Sequence, residues 1–126
     1  FRSYVDDHVN ALKIIAQKGT IGERYCIGGE EEISNIEVVG KICNLLKKYS
    51  NEYEYENLID FVEDRPGHDK KYSVDSSKIK RELLWKQNRS FDYDLDKTVK
   101  WYIDNQNWSK NALNISKYKG ERLGKK

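Results

Sequence analysis

Proline, methionine and cysteine are scarce in this sequence: one proline, no methionine and two cysteines occur among 126 residues. Cys26 and Cys43 are too few for a disulfide framework and match no zinc-binding spacing, so we expect two reduced, buried thiols. No segment approaches the roughly 18 uninterrupted apolar residues that a membrane span requires. No apolar signal-peptide core appears near residue 1 either. We therefore predict a cytoplasmic protein that does not enter the membrane.

Neither positive nor negative charge is in large excess. The 23 basic and 21 acidic residues give a net charge of +2 and are spread along the chain. A protein that binds nucleic acid or anionic lipid through its overall field needs a much stronger imbalance, so neither partner is expected. The length fits a single domain spanning residues 1–126.

Apolar residues at helical spacing predict four helices, at residues 6–18, 34–49, 75–85 and 91–105. The first has Val9, Leu12, Ile15 and Ala16 as its apolar residues, with Asp6 or Asp7 as its cap. The second is the clearest, because Ser34 and Glu37 have the spacing of a capping box.

Three short apolar runs predict strands, at residues 23–29, 58–62 and 72–74. The second should stop at Pro66, because proline cannot donate a ladder hydrogen bond. Helices alternating with short strands indicate a mixed α/β fold.

Several sequence patterns suggest chemistry only weakly. Gly28 and Gly29 follow a predicted strand but do not have the G-x-G-x-x-G spacing of a dinucleotide site. The Asp6-Asp7-His8 run cannot converge on a metal, because consecutive helical residues diverge by about 100°. Tyr93 and Lys97 have Y-x-x-x-K spacing, but neighbouring aspartates favour ordinary surface pairing of that lysine. We therefore expect no catalytic residue and no metal site on this chain.

The segment DRPGHDKKY, residues 64–72, is the strongest candidate for ligand binding. Pro66 and Gly67 favour a tight turn, Arg65 offers a planar fork of donors suited to phosphate, and His68 adds a second polar group. Asp64 can orient Arg65 or accept a hydroxyl hydrogen bond. A charged surface turn without a ligand is the alternative interpretation.

Asn35 is a second candidate, because it is the first residue of the predicted helix that follows Ser34. Free backbone N–H groups and the helix dipole favour an anion at such a position. From spacing alone, ligand binding and a solvent-exposed polar residue remain equally open.

Five segments together carry a family resemblance: YVDDHVNAL, GERYCIGGEEEISNIEVV, DRPGHDKKYSVDSSKI, RELLWK and SFDYDLDKTVKWYIDNQNW. In this order and spacing they resemble the C-terminal part of the dTDP-glucose 4,6-dehydratases, which are extended short-chain dehydrogenase/reductases. The resemblance covers almost the whole chain and implies a small substrate-binding lobe of helices and short strands.

The resemblance also implies the activity and partners of a longer protein. Such an enzyme converts dTDP-glucose to dTDP-4-keto-6-deoxyglucose and water in deoxysugar biosynthesis, uses NAD, and forms a homodimer. The family binds NAD on an N-terminal Rossmann domain and carries its catalytic tyrosine and lysine there, so this chain alone should be inactive and bind no cofactor. Apolar surface of the lobe should pack against that Rossmann domain.

By the same resemblance, Asn35 and the turn formed by Asp64, Arg65, Pro66, Gly67 and His68 bind the substrate, dTDP-glucose. This sequence departs from the family pattern at three places: the family's R-D-W-L before the position of Tyr4, the asparagine at the position of Cys26, and an arginine-containing pair at Lys70 and Lys71. Lysine keeps the charge but not the bidentate fork, so we expect weaker diphosphate binding.

Two functional hypotheses remain. The chain is either part of a dehydratase or a free-standing module that binds a nucleotide sugar or a partner protein. It begins inside the family's motif and contains no methionine, which favours the first hypothesis.

Overall fold

The computed structural model describes residues 3–29, 31–50, 52–64, 66–67 and 74–117. Within them lie five α-helices and one 3-10 helix, Tyr55–Leu58. The α-helices are α1 (Val5–Lys18), α2 (Asn35–Tyr49), α3 (Ser77–Leu83), α4 (Phe91–Asp104) and α5 (Gln106–Ser116). The chain forms two compact units, one from Phe1–Val38 with Asp69–Leu95 and one from Val39–His68 with Asp96–Lys126. The expectation of a single domain stays a prediction.

The predicted strands are wrong wherever the structure describes them. Residues 23–29 and 59–64 form no strand, and neither does Val74, whereas Tyr72 lies outside the described residues. A short apolar run favours an extended backbone, but a strand also requires a second extended segment to share a hydrogen-bond ladder. The described residues are therefore helical with irregular connections, and the mixed α/β class is not observed in them.

The core of the first unit is built on α1 and α3. Ala11, Ile79 and Trp85 are buried there. Five half-buried residues pack around them: Ile14, Ile15, Tyr25, Ile27 and Leu83. The core thus joins two helices to the extended segment that precedes α2.

The start of α1 differs from the prediction. The helix begins at Val5, and its cap residue Tyr4 makes no side-chain capping bond, so neither Asp6 nor Asp7 caps it. Asp7 is instead buried, and its Oδ1 accepts hydrogen bonds from the Asn88 backbone N–H and side-chain amide at 3.3 and 2.9 Å. A buried carboxylate needs such partners, and here they tie α1 to the segment that follows α3.

In the second unit, the end of α2 is bonded to α4. The Tyr49 hydroxyl donates to the Asp96 carboxylate at 2.8 Å, and Lys48 Nζ donates to it at 2.9 Å. The Lys48 ammonium, followed by the Tyr49 hydroxyl, lowers the pKa of Asp96 below its ordinary value, because both donors favour the ionised form. Cys43 and Val99 are buried in this unit.

Two further features depart from the sequence analysis. Cys26 is exposed rather than buried, whereas Cys43 is buried as expected. Helix α5 was not predicted, and Trp108 on it lies edge-on to Trp101 of α4, with ring centres 5.1 Å apart.

Within the described residues, no helix is long and apolar enough to span a membrane.

Candidate functional site

The first site candidate lies where α2 begins. The predicted capping box is confirmed, because the Glu37 backbone N–H donates to Ser34 Oγ at 3.3 Å while Ser34 N–H donates to Glu37 Oε2 at 2.8 Å. Ser34 Oγ also donates to the same carboxylate at 2.6 Å. These bonds fix the point at which the helix starts.

Asn35 is the first residue of α2, as predicted, and is exposed. The capping box changes the argument for an anion there, because the Glu37 carboxylate already supplies a negative charge to this helix end. A second anion would be repelled by it. The helix dipole therefore gives less support to an anion at Asn35 than its position alone suggested.

The second candidate is the turn at Pro66 and Gly67. Asp64, Pro66 and Gly67 are exposed, and Gly67 has φ of 71°, in the left-handed region that favours glycine. Proline followed by a residue with positive φ is the pattern of a type II turn. Apart from its chain neighbours, no atom of the described residues lies within 4 Å of where a Cβ on Gly67 would be, so the positive φ is the reason that glycine is favoured here.

The predicted site residues fall in both units. Asn35 belongs to the first, whereas Asp64, Pro66 and Gly67 belong to the second. Arg65 and His68 lie outside the described residues, as do Arg2, Lys70 and Lys71. The binding roles of all six site residues stay predictions.

The glycine pair at residues 28 and 29 does not fit a dinucleotide. Both glycines are buried, and a Cβ on Gly28 would lie 3.4 Å from Val74 Cβ. A side chain at Gly28 would thus make ordinary van der Waals contact with this chain's own Val74, at a buried position. Within the described ranges, no three His, Cys, Asp or Glu side chains are placed to hold a metal ion.

The Y-x-x-x-K pattern lies on α4. Tyr93 is about half exposed, and the Arg89 guanidinium carbon is 4.9 Å from the centre of its ring. This contact is a surface cation–π pair, which stabilises by about 0.5–1 kcal/mol. Tyr93 thus has a structural neighbour that the sequence pattern did not indicate.

Comparison with known proteins gives the family. The family model described as GDP-mannose 4,6 dehydratase matches residues 3–98. The chain belongs to this family. The dTDP-glucose 4,6-dehydratase of Neisseria meningitidis serogroup B is 49% identical over 126 residues, which cover 96% of this chain and 35% of that protein. A probable dTDP-glucose 4,6-dehydratase of Sinorhizobium fredii is 48% identical, with the same two coverages.

A solved structure shows that the similarity to this family extends to the three-dimensional fold. The crystal structure of DesIV, a dTDP-glucose 4,6-dehydratase from Streptomyces venezuelae with NAD and TYD bound, matches with a TM-score of 0.69 and 37% sequence identity. The match covers 82% of this chain and 30% of DesIV. The predicted resemblance is confirmed, and the chain spans about a third of the length of these relatives.

Proposed function

We propose that this chain is the nucleotide-sugar-binding portion of a dTDP-glucose 4,6-dehydratase. The observation that carries the proposal is the match to two such dehydratases at 49% and 48% identity over 96% of the chain. The sequence DRPGHD, residues 64–69, lies within that match and supplies donors suited to a diphosphate.

The turn at residues 64–68 is the proposed diphosphate-binding element. Pro66 restricts φ before binding, and Gly67 adopts its positive φ without the cost that a side chain would add. A turn that is already fixed loses less conformational entropy when it binds a ligand. Arg65 then presents a planar fork that can donate two parallel hydrogen bonds to phosphate oxygens.

Three further side chains are proposed to contact the substrate. His68 would donate a hydrogen bond to it, Asp64 would orient Arg65 or accept a hydroxyl hydrogen bond, and the Asn35 amide would contact the nucleotide sugar. Each of these residues binds or orients the substrate. None moves a proton or forms a covalent bond to it.

NAD belongs to the part of the proposed enzyme outside this chain. When bound there, it supplies hydride chemistry at the sugar, whereas the buried pair Gly28 and Gly29 on this chain does not fit it. The proposal also includes a cytoplasmic location, dTDP-glucose as substrate, a Rossmann domain as partner and a homodimer for the longer protein.

A titration with dTDP, followed by backbone amide NMR, tests the proposed site on this chain. We expect shifts at Asn35 and residues 64–68, and we expect Gly67→Ala to weaken binding. Alanine at a φ of 71° costs about 1–2 kcal/mol. We expect the turn to relieve this strain by changing its backbone conformation, which moves its donors away from the diphosphate.

Gly22→Ala is the matched control, because Gly22 has φ of 85° and, its chain neighbours aside, no atom of the described part of the chain lies within 4 Å of where a Cβ would be. It carries the same conformational cost at a position outside the proposed site and should leave dTDP binding unchanged. Equal loss of binding in both variants would show that general destabilisation, and not the turn, is responsible.

A further inference from the structure

The Glu31 side chain joins the segment before α2 to the start of α4. Its Oε1 accepts a hydrogen bond from the Phe91 backbone N–H at 3.2 Å, although the two residues are 60 positions apart in the sequence. Phe91 is the first residue of α4 and is buried. The first N–H groups of a helix have no acceptor within the helix, and a carboxylate there also interacts favourably with the helix dipole. Glu31 therefore caps α4 from a distant part of the chain.

The end of α4 that Glu31 contacts is itself held by hydrogen bonds. Ser90 Oγ accepts from the Tyr93 N–H at 3.4 Å, and the Ser90 carbonyl oxygen accepts from the Asp94 N–H at 3.2 Å. These bonds set the first turn of α4 and with it the direction of the Phe91 N–H. The Glu31 bond thus attaches an irregular segment to a well-ordered helix end.

The segment that Glu31 attaches leads directly to Asn35. Only four residue steps separate Glu31 from Asn35, a reach of at most about 14 Å, and both belong to the first unit together with Phe91. The capping box of Ser34 and Glu37 then fixes the start of the helix on the other side of the segment. A bond at Glu31 therefore restricts where the Asn35 side chain lies relative to the rest of the first unit.

We propose that Glu31 is a positioning residue for Asn35 in nucleotide-sugar binding. The inference rests on the proposed function, because the contact of the Asn35 amide with the nucleotide sugar is part of it. A side chain that is held in place before the ligand arrives loses less conformational entropy on binding. Loss of the Glu31 bond should therefore weaken binding, although Glu31 itself does not touch the ligand.

A double-mutant cycle on the 126-residue chain tests this role, with affinity for dTDP-glucose measured by NMR titration. We expect Glu31→Ala to weaken binding by about 3- to 10-fold. In an Asn35→Ala background the same substitution should cause no further loss, because the contact that Glu31 positions is already absent. Glu31→Gln keeps an acceptor oxygen for the Phe91 N–H and should retain the parental affinity.

Glu23→Ala is the matched control for the loss of a carboxylate. Glu23 also joins an irregular segment of the first unit to a helix, since Lys78 Nζ of α3 donates to its Oε2 at 2.5 Å. It lies outside the proposed site, so its removal should leave the affinity unchanged. The Tm of each variant shows that it is folded, and Glu31→Asp, with a carboxylate one methylene shorter, replaces Glu31→Ala if the alanine variant does not fold.

Four results overturn the inference. Glu31→Ala leaves the affinity unchanged, Glu31→Ala and Glu23→Ala weaken it equally, or Glu31→Gln weakens it as much as Glu31→Ala. The fourth is a full further loss from Glu31→Ala in the Asn35→Ala background. The Asn35→Ala single variant separates the two proposals. If it binds like the parent chain, or if the parent chain does not bind, the proposed function fails as well. If it binds more weakly while Glu31→Ala binds normally, only the positioning role fails.

Discussion

Trp85→Ala is expected to lower the free energy of unfolding by about 3–5 kcal/mol. Trp85 is 2% exposed and packs with Ala11 and Ile79, so truncation removes a large apolar surface and leaves a cavity between α1 and α3. Small domains are stable by only about 5–15 kcal/mol, so this single change removes much of the total. Urea unfolding followed by far-UV circular dichroism measures the loss without depending on tryptophan fluorescence.

Trp108→Ala is the control for that prediction, because Trp108 is 57% exposed on α5. Trp108→Ala should lower the free energy of unfolding by about 1 kcal/mol or less, mainly because the ring contact with Trp101 is lost. The loss for Trp85→Phe should lie between the two, because it keeps a ring and removes a buried indole N–H that has no hydrogen-bond partner among the described residues. Similar losses for Trp85→Ala and Trp108→Ala would contradict the core described here.

In a graft enzyme, in which this chain replaces the matched segment of the Neisseria meningitidis dehydratase, Arg65→Ala should weaken binding of dTDP by about 10- to 100-fold. Two charge-assisted hydrogen bonds from one guanidinium to phosphate contribute a few kcal/mol, and each 1.4 kcal/mol changes affinity tenfold, so about 1.4–2.7 kcal/mol should be lost. Isothermal titration calorimetry with dTDP gives the affinity, and a parallel Tm measurement confirms that each variant remains folded.

Two further arginine variants sharpen this test. Arg65→Lys should bind with intermediate affinity, since lysine keeps the positive charge and loses the planar fork. Arg81→Ala removes an exposed arginine that pairs with Glu82 at 3.1 Å, and it should not change the affinity. An unchanged affinity in Arg65→Ala would remove the turn from the proposed binding site.

Helix α2 could be predicted from sequence because local signals determine it. The capping box of Ser34 and Glu37 determines where the helix starts, and apolar residues at helical spacing follow it in the sequence. The positive φ of Gly67 likewise agrees with the turn that Pro66 and Gly67 predict. Such features depend on neighbours only a few residues away in the sequence.

The features that depend on distant residues were not predictable. In α1 the sequence shows two apolar arcs, and only the packing of Ile79 and Trp85 decides that Ala11 is buried while Leu12 is exposed. The strand predictions failed for the same reason, because ladder pairing is a non-local property. Asp7 was interpreted as a cap, since nothing near it in sequence indicates that Asn88 binds it.

In the candidate site, too, local conformation was predictable from the sequence, whereas the binding roles were not. From the sequence, Asn35 was correctly predicted to open α2, and the positive φ of Gly67 agrees with the predicted turn. The Glu37 carboxylate of the predicted capping box lies at the same helix end and opposes a second anion there. The binding roles of Asn35 and of residues 64–68 depend on a ligand and remain predictions.

Conversion of dTDP-glucose by the graft enzyme is the most direct test of the central claim. The account predicts formation of the 4-keto-6-deoxy sugar nucleotide, with turnover strongly reduced by Arg65→Ala and unaffected by Arg81→Ala. A graft enzyme that folds and binds NAD but leaves dTDP-glucose unchanged would contradict the claim that this chain is a dehydratase's substrate-binding portion.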